Sequence, residues 1–279
     1  MKSKYALTIL IISLVLLPLA FGLGLVFGGD GGGTTVTRSL FAATVAVEVI
    51  ALIRVLAARK MFSRADPMHL TWSLIAAFLT VRLLGEARLL TLTFNLIPTY
   101  TQGSSKWLFY YVVGGRYLYT GGDLLFVASL ITTIQAYKAT ALQFKVVGRD
   151  FFYIAVLWTI PFLTYAYRDN LALGGIVTSD RHVVTYRLIA VFVGALIASL
   201  CVVIRRYAIQ MGGGMVARLW NTVVAAGIAR ALSFLVLALM LKWWKAGAQF
   251  SEQYFLWIFA GCWLLAALFQ REVLPPSKK

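Results

Sequence analysis

Long apolar runs separated by short polar stretches dominate the pattern of this 279-residue chain. A helix needs about 20 apolar residues to cross about 30 Å of hydrocarbon. Runs of that order fall at about 5–27, 39–58, 70–95, 118–137, 151–168, 186–204, 217–241 and 254–270. The pattern therefore predicts an all-α fold, a polytopic membrane helix bundle of about eight transmembrane helices. No connection between runs is long enough to fold by itself, so residues 1–279 read as a single membrane domain. The longest connection, 96–117, holds Trp107, Phe109, Tyr110, Tyr111 and Tyr117 beside Lys106 and Arg116. Rings with polar tips favour the headgroup level, which predicts an aromatic belt there, with a lid over a cavity as the sharper alternative.

Composition agrees: 61% of residues are hydrophobic and 13% charged, against roughly half and a quarter in soluble domains. A net charge of +16 would suggest nucleic acid in a soluble protein, so the position of each basic residue matters. With a cytoplasmic N-terminus, the inner segments collect Lys2, Lys4, Arg54, Arg59, Lys60, Arg64, Lys138, Lys145, Arg149, Arg205, Arg206, Arg218, Arg271, Lys278 and Lys279. The outer segments hold only Arg38, Lys106, Arg116, Arg168, Arg181, Arg187, Lys242 and Lys245. That asymmetry follows the positive-inside rule and predicts both termini in the cytoplasm, in a plasma (inner) membrane. The inner belt attracts anionic lipid headgroups at about 1 kcal/mol per residue, so membrane lipids rather than nucleic acid are the expected partners of the charge.

Lys2 and Lys4 before an apolar run also describe a secretory signal peptide, but the run continues past Pro18 to Phe27 with no small-x-small cleavage pattern. A retained helix is the expectation. Cys201 and Cys262 both fall inside apolar runs, where cysteine acts as a small hydrophobe. The glycine clusters 31–33 and 212–214 lack the strand-turn-helix setting of a phosphate loop, and read as turns.

An internal correspondence adds organisation. Trp72 and Arg82 on the third run recur as Trp220 and Arg230 on the seventh, ten residues apart in both cases. Ala77, Leu84 and Leu89 match Ala225, Leu232 and Leu237. The expectation is a 4+4 parallel internal repeat, with half-repeats 1–138 and 149–272.

Ionisable side chains within the runs are costly, at roughly 2.5–3.5 kcal/mol each near the bilayer centre, so they should face the bundle interior. They are Glu48, Arg82, Glu86, Arg88, Asp123 and Arg230. Arg82 and Glu86 lie four apart on one helical face and can pair directly. Six residues turn a helix by about 240°, which points Arg88 away from Arg82 and suggests a structural ion pair of Arg88 with Asp123. The last four runs hold no acid, so Arg230 must find its counter-charge across the interface of the halves or from a bound molecule. A guanidinium fork suits a carboxylate or phosphate, and Trp220 and Asn221 on the same helix would line the cavity.

Several chemistries are excluded. His69 and His182 lie at opposite ends of the predicted bundle, and neither C-x-x-C nor H-E-x-x-H occurs, so no metal site or cofactor is expected. A buried Ser-His-Asp or Cys-His arrangement lacks its histidine. The pattern points to a non-enzymatic membrane protein that binds or translocates an anionic or amphiphilic small molecule between two helical halves. Arg82 and Arg230 would face the ligand, Glu48 and Glu86 would serve as counter-charges, and Trp220 and Asn221 would complete the site. The competing expectation is a non-catalytic structural or assembly subunit, whose partners are other membrane proteins.

Overall fold

Apolar runs of this length fold as helices because every backbone N–H and C=O is then bonded within its own segment. A computed structural model describes residues 2–94, 96, 111, 115–139, 147–166, 181–210, 214–240 and 244–273. Among them the structure is entirely helical: α1 (Lys2–Arg59), α2 (Pro67–Thr93), α3 (Gly115–Ala139), α4 (Gly148–Ala166), α5 (Arg181–Gln210), α6 (Gly214–Met240) and α7 (Lys245–Val273). Asp66 caps α2 by accepting from the Met68 N–H at 2.8 Å, with Pro67 opening the helix where no N–H is needed.

The structure corrects the first expected connection. Residues 28–38 are not a loop; α1 breaks only at Gly29, whose φ of 56° and ψ of −150° suit glycine alone. On its far side the Thr34, Thr35 and Thr37 hydroxyls donate back to the carbonyls of Asp30, Gly31 and Gly33, so these polar side chains are satisfied within the helix. Gly31, Gly32 and Gly33 are accordingly helical rather than turn residues. The limbs of α1 double back on each other: a Cβ on Gly32 would collide with the Gly24 carbonyl, and one on Gly24 would lie 3.1 Å from Val36 Cγ2. Residues 24 and 36 would stand about 18 Å apart on a straight helix.

The first limb of α1 runs antiparallel along α7. Ser3 bonds Glu272 at one end, Trp257 Nε1 donates to Ser13 Oγ at 2.7 Å, and Phe21 stacks on Phe250 with centroids 4.1 Å apart. The ends of α1 and α7 that meet at Ser3 and Glu272 define the termini end of the bundle; Gly29 marks the hairpin end. Further packing joins α6 to α7, α2 to α3, α5 to α6, α1 to α2, α3 to α5 and α4 to α5. At the centre Phe78 of α2 stacks on Phe126 of α3 at 5.1 Å, and Trp263 of α7 meets Phe126 edge-on at 5.3 Å.

Other boundaries also move. The last helix begins at Lys245 rather than about 254, and α5 covers Arg181–Gln210 rather than about 186–204, which puts the backbone of His182 in a helix. Most of the aromatic connection 96–117 lies outside the described residues, as does the link 211–213; Tyr117 lies on α3.

Large apolar side chains cover the exterior, including Ile9, Val15 and Phe27 on α1 and Phe151, Phe152 and Phe162 on α4. Five helices, α1, α3, α5, α6 and α7, are long and apolar enough to cross a membrane. An apolar exterior around a buried polar interior is the arrangement lipid requires.

Gly29→Ala should lower the stability of the detergent-solubilised protein by about 1–3 kcal/mol, because alanine cannot hold this backbone geometry without strain. Thermal unfolding followed by circular dichroism measures it.

Candidate functional site

A guanidinium removed from water requires acceptors close by, and both central arginines have them. Arg82, fully buried, donates from Nε to Glu48 Oε1 at 2.8 Å and from Nη2 to Glu86 Oε1 at 2.7 Å. Its Cζ lies 5.1 Å from the Phe259 ring centroid and 5.7 Å from that of Tyr119. One helix supplies the arginine and Glu86 through the i,i+4 spacing; Glu48 comes from the second limb of α1.

Arg230 takes its counter-charge from α3. Its Nε donates to Asp123 Oδ1 at 2.9 Å and Nη2 to Oδ2 at 2.8 Å, a two-point fork, while Cζ lies 4.1 Å from the Phe234 ring centroid. This corrects the expected pair of Arg88 with Asp123. Both Asp123 oxygens are engaged by Arg230, and Arg88 instead donates from Nη1 to the Tyr111 carbonyl at 3.1 Å. Arg230 is therefore not an unpaired guanidinium awaiting an anion.

Arg82 and Arg230 come together at one chamber of about 90 Å³, with Glu86, Tyr119, Tyr186, Glu252 and Gln253 also in its wall. Leu89, Glu252 and Gln253 are shared with a vestibule of about 830 Å³ at the hairpin end, where Asp30, Thr34, Arg38 and Trp244 stand. Four polar atoms of chamber-wall residues, Arg82 Nη1, Glu86 Oε2, Tyr119 Oη and Gln253 Oε1, are buried without a hydrogen-bond partner among the described residues. At about 30 Å³ per water molecule, the chamber holds a few waters or a small polar group.

Glu252 and Gln253 were not anticipated, because their polar neighbourhood reads as a loop before the last apolar run. The spacing of Gln249, Glu252 and Gln253 was the available signal, since residues three and four apart share one helical face. Trp220 and Asn221, by contrast, leave the site. Ten residues before Arg230 places Trp220 about 15 Å along α6, where it is buried and its Nε1 donates to Tyr137 Oη. Asn221 is exposed beside a separate groove.

A further ion pair had no sequence signature. Asp150 at the start of α4 accepts from Arg206 of α5 at 2.7–2.8 Å through three contacts. These hydrogen bonds hold the Asp150 carboxyl below its usual value of 3.8. Among the described residues no group of three His, Cys, Asp or Glu side chains stands close enough to hold a metal ion.

Fold and site together define a class: an all-helical protein among the described residues, with five helices long and apolar enough to cross a membrane, whose buried ion pairs border a small polar chamber. Compared with known proteins, the chain matches no family model, no curated protein and no solved structure.

Arg230→Leu should destabilise the fold by about 3–5 kcal/mol by leaving Asp123 buried without its partner, and adding Asp123→Leu should restore most of the loss. Denaturant unfolding of the double-mutant cycle reads this. The bond from Arg206 stabilises the α4–α5 contact at and above the usual carboxylate range. Its contribution should fade as pH falls through the lowered value of Asp150, and hydrogen exchange in 148–166 should rise there but not in an Asp150→Asn variant.

Proposed function

We propose that this protein spans a membrane and binds or moves a small amphiphilic molecule that enters from the hairpin end. The supporting observation is the pairing of two spaces: a roomy vestibule that shares Leu89, Glu252 and Gln253 as a common wall with a small polar chamber. Such a shape accepts a compact polar head in the chamber and a longer body in the vestibule. Because Glu48, Glu86 and Asp123 already neutralise the arginines, recognition falls to Arg82 Nη1 and Tyr119 Oη as donors and to Gln253 Oε1 and Glu86 Oε2 as acceptors. The matching head both accepts and donates a hydrogen bond, as a hydroxyl, an amide or a protonated carboxyl does.

In this reading the two limbs of α1 are separate spans, which with α2–α7 makes eight. The basic residues of the termini end lie in the cytoplasm of a plasma membrane, and the vestibule opens outward. The internal repeat is supported by matching neighbours: α2 packs on α3 as α6 packs on α7, and α1 on α2 as α5 on α6. Arg82 and Arg230 then mark equivalent positions of the two halves, brought to one chamber.

A second reading, a structural subunit of a larger membrane assembly, draws support from the same ion pairs, which hold four helices in register without any guest. Mild solubilisation separates the two: the solute-binding reading expects a stable lone chain or homo-oligomer, the subunit reading a stoichiometric complex with other proteins.

Medium-chain alcohols, amides and carboxylic acids serve as probes. At a hundred times its dissociation constant, a probe that binds should stabilise the purified protein by about 2.7 kcal/mol in thermal unfolding. Gln253→Leu should weaken that binding up to about tenfold, and Leu89→Trp, which narrows the passage, should abolish it. Failure of every probe to raise the midpoint, or full stabilisation surviving Leu89→Trp, overturns the proposal.

A further inference from the structure

At the termini end, far from the chamber, a groove of about 750 Å³ lies between the first limb of α1 and α6, with α7 as its floor. Its mouth carries Lys4, Arg218 and Asn221, all exposed. Neither Lys4 nor Arg218 makes an ion pair among the described residues. Glu272, the acid at this mouth, is already engaged: both carboxylate oxygens accept from Ser3 Oγ at 2.8 Å. Beyond the mouth the walls turn apolar, with Leu7, Ile11 and Leu14 on one side, Ala225 on the other, and Ile258 and Leu265 below.

The length of the groove is informative. Lys4 to Leu14, Arg218 to Ala225 and, along the floor, Ile258 to Glu272 are ten, seven and fourteen residues, about 15, 11 and 21 Å of helix at 1.5 Å per residue. The two walls fall within half of a hydrocarbon core of about 30 Å, and the floor stops well short of its full thickness. The groove therefore begins at the interface with two cations against one carboxylate and ends short of the opposite interface. A partner transmembrane helix would need a seat along the full thickness; a lipid acyl chain needs only this much.

From this charge complementarity and depth, we propose that the groove is a binding site for one anionic glycerophospholipid. Its phosphate lies between Lys4 and Arg218, and one acyl chain lies along Leu7, Ile11 and Ala225. The site does not depend on the solute reading, because it shares no residue with the vestibule or chamber. It assigns the exposed Asn221 a place beside a lipid headgroup.

The test uses the full chain purified in mild detergent, with native mass spectrometry after addition of phosphatidylglycerol or phosphatidylcholine. One phosphatidylglycerol should be retained per chain, in preference to phosphatidylcholine. Lys4→Gln with Arg218→Gln should reduce that preference by about 30-fold, the effect of two interfacial charges. Ala225→Trp, which keeps the charge but fills the groove, should remove the retained lipid. Both variants change exposed positions, and unaltered thermal unfolding confirms their folding. Equal retention of the two lipids by the parent protein, or undiminished preference in the charge variant, overturns the proposal. So does displacement of the lipid by inorganic phosphate alone, which would make the site one for the free ion. Should Ala225→Trp not fold, the charge variant decides by itself.

Discussion

A guanidinium in a low-dielectric interior is tolerated only where its charge and hydrogen bonds are matched, and two such groups organise this bundle. Arg82 draws Glu48 of α1 toward α2, while Arg230 ties α6 to Asp123 of α3 with a two-point contact. Between them the pairs link four helices from distant parts of the chain. Phe259 and Phe234 lie against the arginine planes and shield them from water, adding cation–π attraction to the ionic contacts.

The chamber is a consequence of this arrangement. Two bulky ion pairs set side by side among aromatic rings do not close-pack as aliphatic side chains do, and a small polar void remains beside them. The hairpin at Gly29 supplies the approach. By turning on a single residue, α1 places Asp30, Thr34 and Arg38 opposite the first turns of α7, and the space between them becomes the vestibule. The same hairpin holds the first limb against α7 along one side only, which leaves the groove beside α6 at the other end. A single backbone break thus shapes both cavities.

The peripheral helix α4 shows a different economy of contacts. It packs on α5 and is fastened by Asp150 and Arg206, whose side chains keep partial exposure. There the ion pair is partly hydrated, so it orients the helix without the desolvation penalty borne by the central pairs.

The sequence alone determined that the chain is helical and apolar enough for a membrane, because hydropathy and run length are local properties. It also determined that Arg82 and Glu86 could meet, since i,i+4 spacing is built into the helix. Which partner each remaining charge took was decided by tertiary packing: Asp123 lies 107 residues from Arg230, and only the placement of α3 against its neighbours selects that pair over Arg88. The same holds for Trp220, which shares a helix with Arg230 yet bonds Tyr137 instead of lining the chamber. Gly29 stood among several glycines with nothing to single it out, and the polar start of α7 resembled a loop. Close approach of the two limbs gave the first its role, and the vestibule wall gave the second a reason to be polar; both are properties of elements already assembled.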